Sequence, residues 1–186
     1  MGVASIGGLA GCGGSAPMAD DGGSGDESDG GDDGDGNEND TATDDLPTDW
    51  PSGTYADYDA TTVTVRSPED EVRGAVRAAI ADTRDKRITG LSDAPSLPEN
   101  AGMLFAYPEP QESLTFIMPN MDFGIDIVYV DGDRTFTRIH NAPVPGPNED
   151  GSEQRYPGSG QYVLEVPYEW TDRRGVEVGD SLAFSL

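Results

Sequence analysis

The chain has few of the residues that most catalytic and metal sites use. Its 186 residues include one cysteine, Cys12, one histidine, His140, and one lysine, Lys86. A single cysteine excludes a disulfide within the chain. No serine lies in a sequence that resembles a nucleophile elbow, which a Ser-His-Asp triad in an α/β-hydrolase would need. The sequence therefore predicts no catalytic residue, no cofactor and no metal site.

Positive charge and long apolar runs are also scarce. The chain has eleven Lys and Arg residues and 36 Asp and Glu residues, which gives a formal net charge of −25. Affinity for nucleic acid comes mainly from Lys and Arg that neutralise phosphates, so this composition argues against nucleic acid as a partner. No apolar run reaches the roughly 18 residues that a membrane-spanning helix needs. Any attachment to a membrane is therefore expected to be covalent.

The acidic residues are concentrated at one end of the chain. Residues 1–65 contain no Lys or Arg, and they hold 15 of the 36 acidic side chains. The rest of the chain is also acidic, and ten of its eleven basic residues are arginine. At molar salt the Debye length falls to about 3 Å, so a surplus of carboxylates becomes tolerable and keeps a protein soluble. This pattern predicts a halophilic protein; the alternative is an ordinary acidic one.

The cysteine follows a short apolar segment. Leu9-Ala10-Gly11-Cys12 has the form of a lipoprotein signal, in which small residues precede the cleavage site and the thiol accepts a lipid. We therefore predict that residues 1–11 are a signal remnant and that a lipid on Cys12 holds the protein to the cell membrane, outside the cytoplasm. The alternative is a glycine-rich N-terminus with an incidental thiol.

Residues 12–58 are expected to form a disordered acidic tether, because they repel one another and contain little apolar surface to bury. Asn39-Asp40-Thr41 is a glycosylation sequon in this segment, so Asn39 is a candidate for modification. The acidic run resembles a calcium-binding EF-hand loop for a few positions. It then places Glu38 where the loop requires glycine, so specific calcium binding is not predicted.

Folding signals begin near residue 59. Residues 61–66 alternate and are β-branched, as in a strand, whereas residues 72–81 fit a helix or a strand. A short helix is expected from an N-cap at Asp82 to Gly90, and a helical turn at 168–174 that closes at Gly175. Further strands are predicted at 102–107, 113–118, 125–131, 135–140, 162–166 and 182–186. The fold class is therefore mainly β, a small β-sandwich or a partly closed barrel, over residues 59–186.

Several strings of this domain resemble those of an uncharacterised family, domain of unknown function 192. The matching strings include Gly90-Leu91, Leu97-Pro98-Glu99-Asn100-Ala101-Gly102-Met103-Leu104-Phe105, Phe116-Ile117-Met118-Pro119-Asn120, Ile125-Asp126-Ile127-Val128-Tyr129-Val130-Asp131, Tyr162-Val163-Leu164-Glu165-Val166 and Val178-Gly179-Asp180. The resemblance implies a small mainly-β sandwich with a jelly-roll-like arrangement, and it favours a strand at 72–81. It implies no activity, because the family has none established.

Three polar residues occur within or beside apolar strands at positions that match the family: Asn120, Asp126 and Glu165. A buried carboxylate costs several kcal/mol unless it is paired. These side chains therefore either tie loops to the sheet or line a ligand pocket. Two further ligand-binding candidates are His140, at a strand end, and Tyr156, in a Pro/Gly-rich loop over 141–157.

The sequence thus favours a lipid-anchored, non-enzymatic binding module for a small ligand, a glycan or an envelope protein. One alternative is a hydrolase that uses Asp126 and Glu165, which requires both carboxylates in one cleft with at least one raised pKa. A second is a copper-handling surface protein, in which Met103, Met118 and Met121 meet near His140.

Overall fold

The computed structural model describes residues 43–186. The predictions for Cys12, for Asn39 and for the signal remnant lie outside the described residues. Within 43–186, no helix is long and apolar enough to cross a membrane. The strands and helices are β1 (Ala60–Arg66), β2 (Val72–Ala81), α1 (Arg84–Thr89), β3 (Ala101–Phe116), β4 (Ile125–Val130), β5 (Phe136–Ala142), β6 (Tyr156–Pro167), α2 (Trp170–Arg173) and β7 (Ser181–Ala183), preceded by a 3-10 helix at Gly53–Tyr55.

All seven strands form one sheet in the order β5-β4-β6-β3-β2-β1-β7. The pairing of β2 with β3 is parallel, and every other pairing is antiparallel. The two edges of the sheet meet, because Thr135 forms an isolated bridge with Ser181. There the Phe136 amide donates to the Asp180 carbonyl at 2.8 Å. This confirms the predicted mainly-β fold, and its form is a curled, partly closed barrel.

Successive side chains of the strands point to opposite faces, so the sheet has two apolar cores. One core gathers Val65, Leu104, Val128, Leu164 and Trp170 together with residues of β5 and β7, as the interior of a curled sheet does. The other core lies on the opposite face and is covered by connecting segments. It contains Trp50, Met103, Phe105, Met118, Ile127, Tyr129 and Val163.

The predicted tether extends too far along the chain. Residues 43–58 were assigned to it, but Trp50 is 4% exposed and Tyr55 is 1% exposed. The Trp50 indole N–H donates to the Gly102 carbonyl at 2.9 Å, and the Tyr55 hydroxyl accepts from the Asp93 amide at 3.2 Å. Two aromatic side chains supply the apolar area that the preceding acidic residues lack, and this orders the segment.

The prediction of two strands at 102–107 and 113–118 was wrong, since residues 102–107 and 113–116 belong to one strand, β3. The pairing of β3 with β6 shifts between Ala106 and Gln111, where Pro108 and Pro110 lie exposed. Prolines cannot donate to a sheet, so they occur at such bulges and break the sequence pattern without ending the strand.

Other boundaries also differ from the predictions. The N-cap of α1 is Thr83, whose hydroxyl accepts from the Lys86 amide at 3.3 Å, and not Asp82. The predicted 141–157 loop is shorter, because β5 continues to Ala142 and β6 begins at Tyr156. The last strand ends at Ala183 and not at 186.

Candidate functional site

Glu165 occupies the middle of the sheet, on central strand β6. Its backbone pairs with Met103 of β3 on one side and with Ile127 of β4 on the other. The alternation along β6 directs Glu165 to the same face as Val163, into the core that the connecting segments cover. The residue is 4% exposed. An acidic side chain is thus buried between two apolar neighbours.

The carboxyl group of Glu165 is incompletely satisfied. In residues 43–186, two buried side-chain atoms have no hydrogen-bond partner: Arg73 Nε and Glu165 Oε2. Arg73 Nε has the Asp180 carboxylate at 3.8 Å. Burial raises the pKa of Glu165 to about 8, so the group holds a proton at neutral pH. A buried polar group without a partner costs about 1–3 kcal/mol, so a hydrogen-bond donor at this carboxyl would stabilise the protein.

Glu165 lines a cavity of about 200 Å³. Most of the other residues that line it are apolar, and they include Leu91, Phe105, Phe116, Met118 and Met121. For comparison, an apolar cavity of about 150 Å³ holds benzene. The rim carries two exposed hydrophobic residues, Ile88 at 64% and Ile117 at 40% exposure. A pocket lined mainly by apolar residues, with a few polar groups among them, is the usual form of a small-molecule site.

One wall of the cavity is the end of α1 and the residues that follow it. Gly90 ends the helix with a φ of 51°, a conformation that glycine adopts without strain. This turn brings Leu91 over the sheet, where it is 2% exposed. The rings of Phe105 and Phe116 meet edge to face at 4.9 Å and form the floor.

The opposite wall is the turn after β3, and the 143–155 loop supports it. The Met118 amide donates to the Gly151 carbonyl, and the Asn120 amide donates to the Asp150 carbonyl, both at 3.1 Å. Gly151 has a φ of 78°, and a Cβ there would lie 1.9 Å from the Met118 carbonyl oxygen. The long loop thus holds Met118 in place. Asn120 itself is exposed at a φ of 56°, so its observed role is in the turn.

The one cationic side chain that lines the cavity is already engaged. Arg87 Nη1 donates to the carbonyls of Asp82 at 2.6 Å and Ala106 at 2.9 Å. Its guanidinium also lies over the Tyr107 ring, 4.7 Å from the centroid. Burial raises the pKa of Tyr107, although Arg87 opposes the shift. Arg87 therefore fixes the helix to β3 and is not free to neutralise Glu165.

Asp126 lies on the opposite face of the sheet and has a different role. Its carboxylate accepts from the Thr171 amide at 2.8 Å, the Thr171 hydroxyl at 2.7 Å, the Glu169 amide at 2.9 Å and Asn141 Nδ2 at 3.0 Å. Burial raises its pKa, and these hydrogen bonds oppose the rise. Asp126 therefore anchors α2 to β4. The hydrolase alternative requires both carboxylates in one cleft, but Asp126 and Glu165 lie on opposite faces of the sheet.

His140 and Tyr156 lie together but outside the lining of the cavity. His140 Nε2 is 2.9 Å from the Pro157 carbonyl oxygen, and its ring packs at 5.9 Å from Tyr129 and 5.6 Å from Tyr156. The copper alternative required His140 beside three methionines, yet only Met118 and Met121 of that set line the cavity. No cluster of His, Cys, Asp and Glu able to hold a metal occurs in the described part of the chain.

Sequence reasoning identified Glu165 but missed the residues that surround it. The sequence predicts Leu91, Phe105 and Phe116 only as apolar positions in strings that match the family, and it offers Met121 only as a candidate copper ligand. Their convergence depends on pairings between strands that are far apart in the sequence. The hydrophobic periodicity within one strand does not show which strands pair with each other.

Comparisons with known proteins place the domain in a family. No curated protein matches the chain. A candidate transcription regulator from Sinorhizobium meliloti 1021 is 25% identical with a TM-score of 0.61, over 68% of this chain and 95% of that one. A protein of unknown function from Novosphingobium aromaticivorans is 28% identical with a TM-score of 0.57, over 67% and 84% of the two chains. The sequence profile of domain of unknown function 192, DUF192, described as "Uncharacterized ACR", matches residues 65–184. The chain therefore belongs to the uncharacterised family domain of unknown function 192.

Proposed function

We propose that this protein is an extracytoplasmic binding module that takes a small ligand into the Glu165 cavity. The observation that carries the proposal is the carboxyl of Glu165, which is buried beside an apolar cavity with Oε2 unpaired. A ligand that donates a hydrogen bond to this carboxyl would offset part of the cost of burying it. The buried carboxyl of Glu165, which destabilises the protein when it has no partner, would therefore strengthen the binding of a ligand that pairs with it.

The residues around the cavity support binding better than catalysis. Glu165 is the one acid among them, and the remaining polar groups include the hydroxyls of Ser92 and Thr115. Acid–base catalysis usually needs a second group with a different pKa beside the first. The nearest candidate in the sequence, Asp126, lies on the other face of the sheet and is held by Thr171, Glu169 and Asn141.

The location is proposed from the sequence. A lipid on Cys12 would hold the protein to the membrane, and the acidic residues after it would act as a spacer. Asn39 would be open to glycosylation in such a segment. The net charge of −25 suits a surface exposed to high salt. An unidentified small solute outside the cell is then the ligand that such a module would meet.

Binding is tested by following the ¹⁵N amide resonances of the full chain, carrying Cys12→Ser to prevent lipidation, during titration with a library of apolar fragments. We expect shifts confined to residues 87–92, 105, 107, 114–118, 121, 125 and 165, which line the cavity and carry an amide proton. Ser92→Phe, which fills the cavity, should abolish them. Ser113→Phe, at an exposed position outside the cavity, should not. Saturable shifts elsewhere, or none with any fragment, would contradict the proposed site.

Anchoring is tested separately in the native cell. Intact mass and membrane partitioning should show a lipid-bearing chain that begins at Cys12, and a Cys12→Ser variant should lose both the lipid and the membrane association. An unmodified chain in the soluble fraction would refute the proposed location, although it would leave the cavity proposal standing.

A further inference from the structure

We infer that the ligand of the Glu165 cavity is an apolar organic ammonium ion, with its charged nitrogen at the Glu165 carboxylate and its apolar body against Phe105, Phe116 and Met118. This inference rests on the proposed binding function, and it adds the chemical class of the ligand. Four features of the site support it.

The first feature is the imbalance of charge. Glu165 brings a buried acid with a free oxygen, whereas the guanidinium of Arg87 is committed to two carbonyls and an aromatic ring. A ligand carboxylate would meet no free cation there and would lie beside an acid. An ammonium group supplies up to three donors and the opposite charge, and charge-assisted hydrogen bonds are the strong ones.

The second feature is the aromatic floor. Phe105 and Phe116 line the cavity that Glu165 lines, whereas the Tyr107 ring is already covered by the Arg87 guanidinium. The faces of such rings attract cations, and the attraction is stronger in a site from which water is excluded. A site made of one carboxyl and two aromatic rings therefore favours an organic cation over a neutral body of the same shape.

The third feature is size and the character of the rim. A cavity of about 200 Å³ is larger than an apolar cavity of roughly 150 Å³ that binds benzene, so it suits a ring or branched chain plus an amine. Ile88 and Ile117 extend the apolar surface outward at 64% and 40% exposure. A small, strongly hydrated inorganic cation would gain nothing from either the cavity walls or the rim.

The fourth feature is the linkage to protons. Without ligand the carboxyl is protonated at neutral pH; with ligand it becomes a carboxylate paired with the ammonium, and its proton passes to the buffer. The charged and titratable groups nearby are Arg87, Tyr55, Tyr107 and Tyr129. Burial raises the pKa of each tyrosine, to about 12 for Tyr55 and Tyr129. These groups therefore do not titrate below about pH 8, and Arg87 remains charged.

The test is isothermal titration of the full chain, carrying Cys12→Ser, with benzylammonium, benzyl alcohol and benzoate, in buffers of different ionisation enthalpy. Benzylammonium should bind at least about tenfold more tightly than benzyl alcohol, because it adds a charged hydrogen bond. It should release close to one proton at about pH 7, and its affinity should rise by up to about tenfold per pH unit below pH 8. Glu165→Gln should remove the proton release and the selectivity, whereas Glu112→Gln, at an exposed position, should change neither.

Three results would overturn the inference. Tighter binding of benzyl alcohol or of benzoate in the cavity would refute the ammonium class while supporting the proposed binding function. Tight binding of benzylammonium without proton release, or equally by Glu165→Gln, would show that the nitrogen does not reach the carboxyl. If no probe bound and the fragment titration also gave no shifts, both the inference and the proposed function would fail.

Discussion

The pH dependence of stability should reveal the buried carboxyl of Glu165 directly. Its pKa rises from 4.5 to about 8 on folding, because burial penalises the charged form. Between these values the folded state holds a proton that the unfolded state has lost, so stability is full below about pH 4.5 and falls as the pH rises toward 8. Each pH unit costs about 1.4 kcal/mol, or about 3 kcal/mol by pH 7. The residue is 4% exposed, so solvent does not screen this penalty away.

The assay is urea unfolding of the wild-type chain and Glu165→Gln across this pH range at constant high salt. Glutamine has a similar shape and does not titrate, so the difference in unfolding free energy isolates Glu165. We expect Glu165→Gln to gain about 3 kcal/mol relative to wild type between pH 4.5 and pH 7. The matched variant Glu112→Gln should gain nothing. A difference for Glu165→Gln that does not vary with pH would refute the assignment of a buried, protonated carboxyl.

Three further perturbations test the supports of the site by the same unfolding assay. Asp126→Ala should cost about 3 kcal/mol or more, because it leaves the Thr171 donors buried without an acceptor. Trp50→Ala should cost about 3–5 kcal/mol, because the indole is buried in the core that also contains Met103. Gly158→Ala should cost about 1–3 kcal/mol, because a Cβ there would lie 2.5 Å from the Tyr129 ring.

Each of these variants has a result that would contradict its reasoning. A neutral Asp126→Ala would mean that α2 does not depend on the carboxylate. If Trp50→Ala left the free energy of unfolding unchanged, or if the exposed Thr48→Ala lowered it equally, the tether would extend to about residue 58. A neutral Gly158→Ala would show that Tyr129 can move away from β6.

The mainly-β architecture could be predicted from the sequence because its information is local. Strand β1 consists mainly of the β-branched residues Thr and Val, which favour strands. The glycine that ends α1 follows directly after a short polar helical pattern. Strand β3 could not be read correctly in the same way. Its two prolines, Pro108 and Pro110, are typical of the end of a strand. Only the pairing with β6 shows that β3 continues through a bulge.

The candidate site was predictable in part. Glu165 interrupts an apolar strand, so its burial could be expected from its neighbours Leu164 and Val166. The sequence could not show whether Glu165 and Asp126 lie on the same face of the sheet, because that depends on the register between β4 and β6. That register pairs Asp126 with Val166, which directs the two carboxylates to opposite faces.

The most direct measurement is a ¹³C NMR titration of the Glu165 carboxyl carbon in the full chain, without and with saturating benzylammonium. We expect a midpoint near pH 8 without ligand, and a midpoint at least about one pH unit lower when the ammonium binds. A free midpoint near 4.5 would contradict the buried, unpaired carboxyl, and a raised midpoint that benzylammonium leaves unchanged would contradict its role in binding an ammonium ligand.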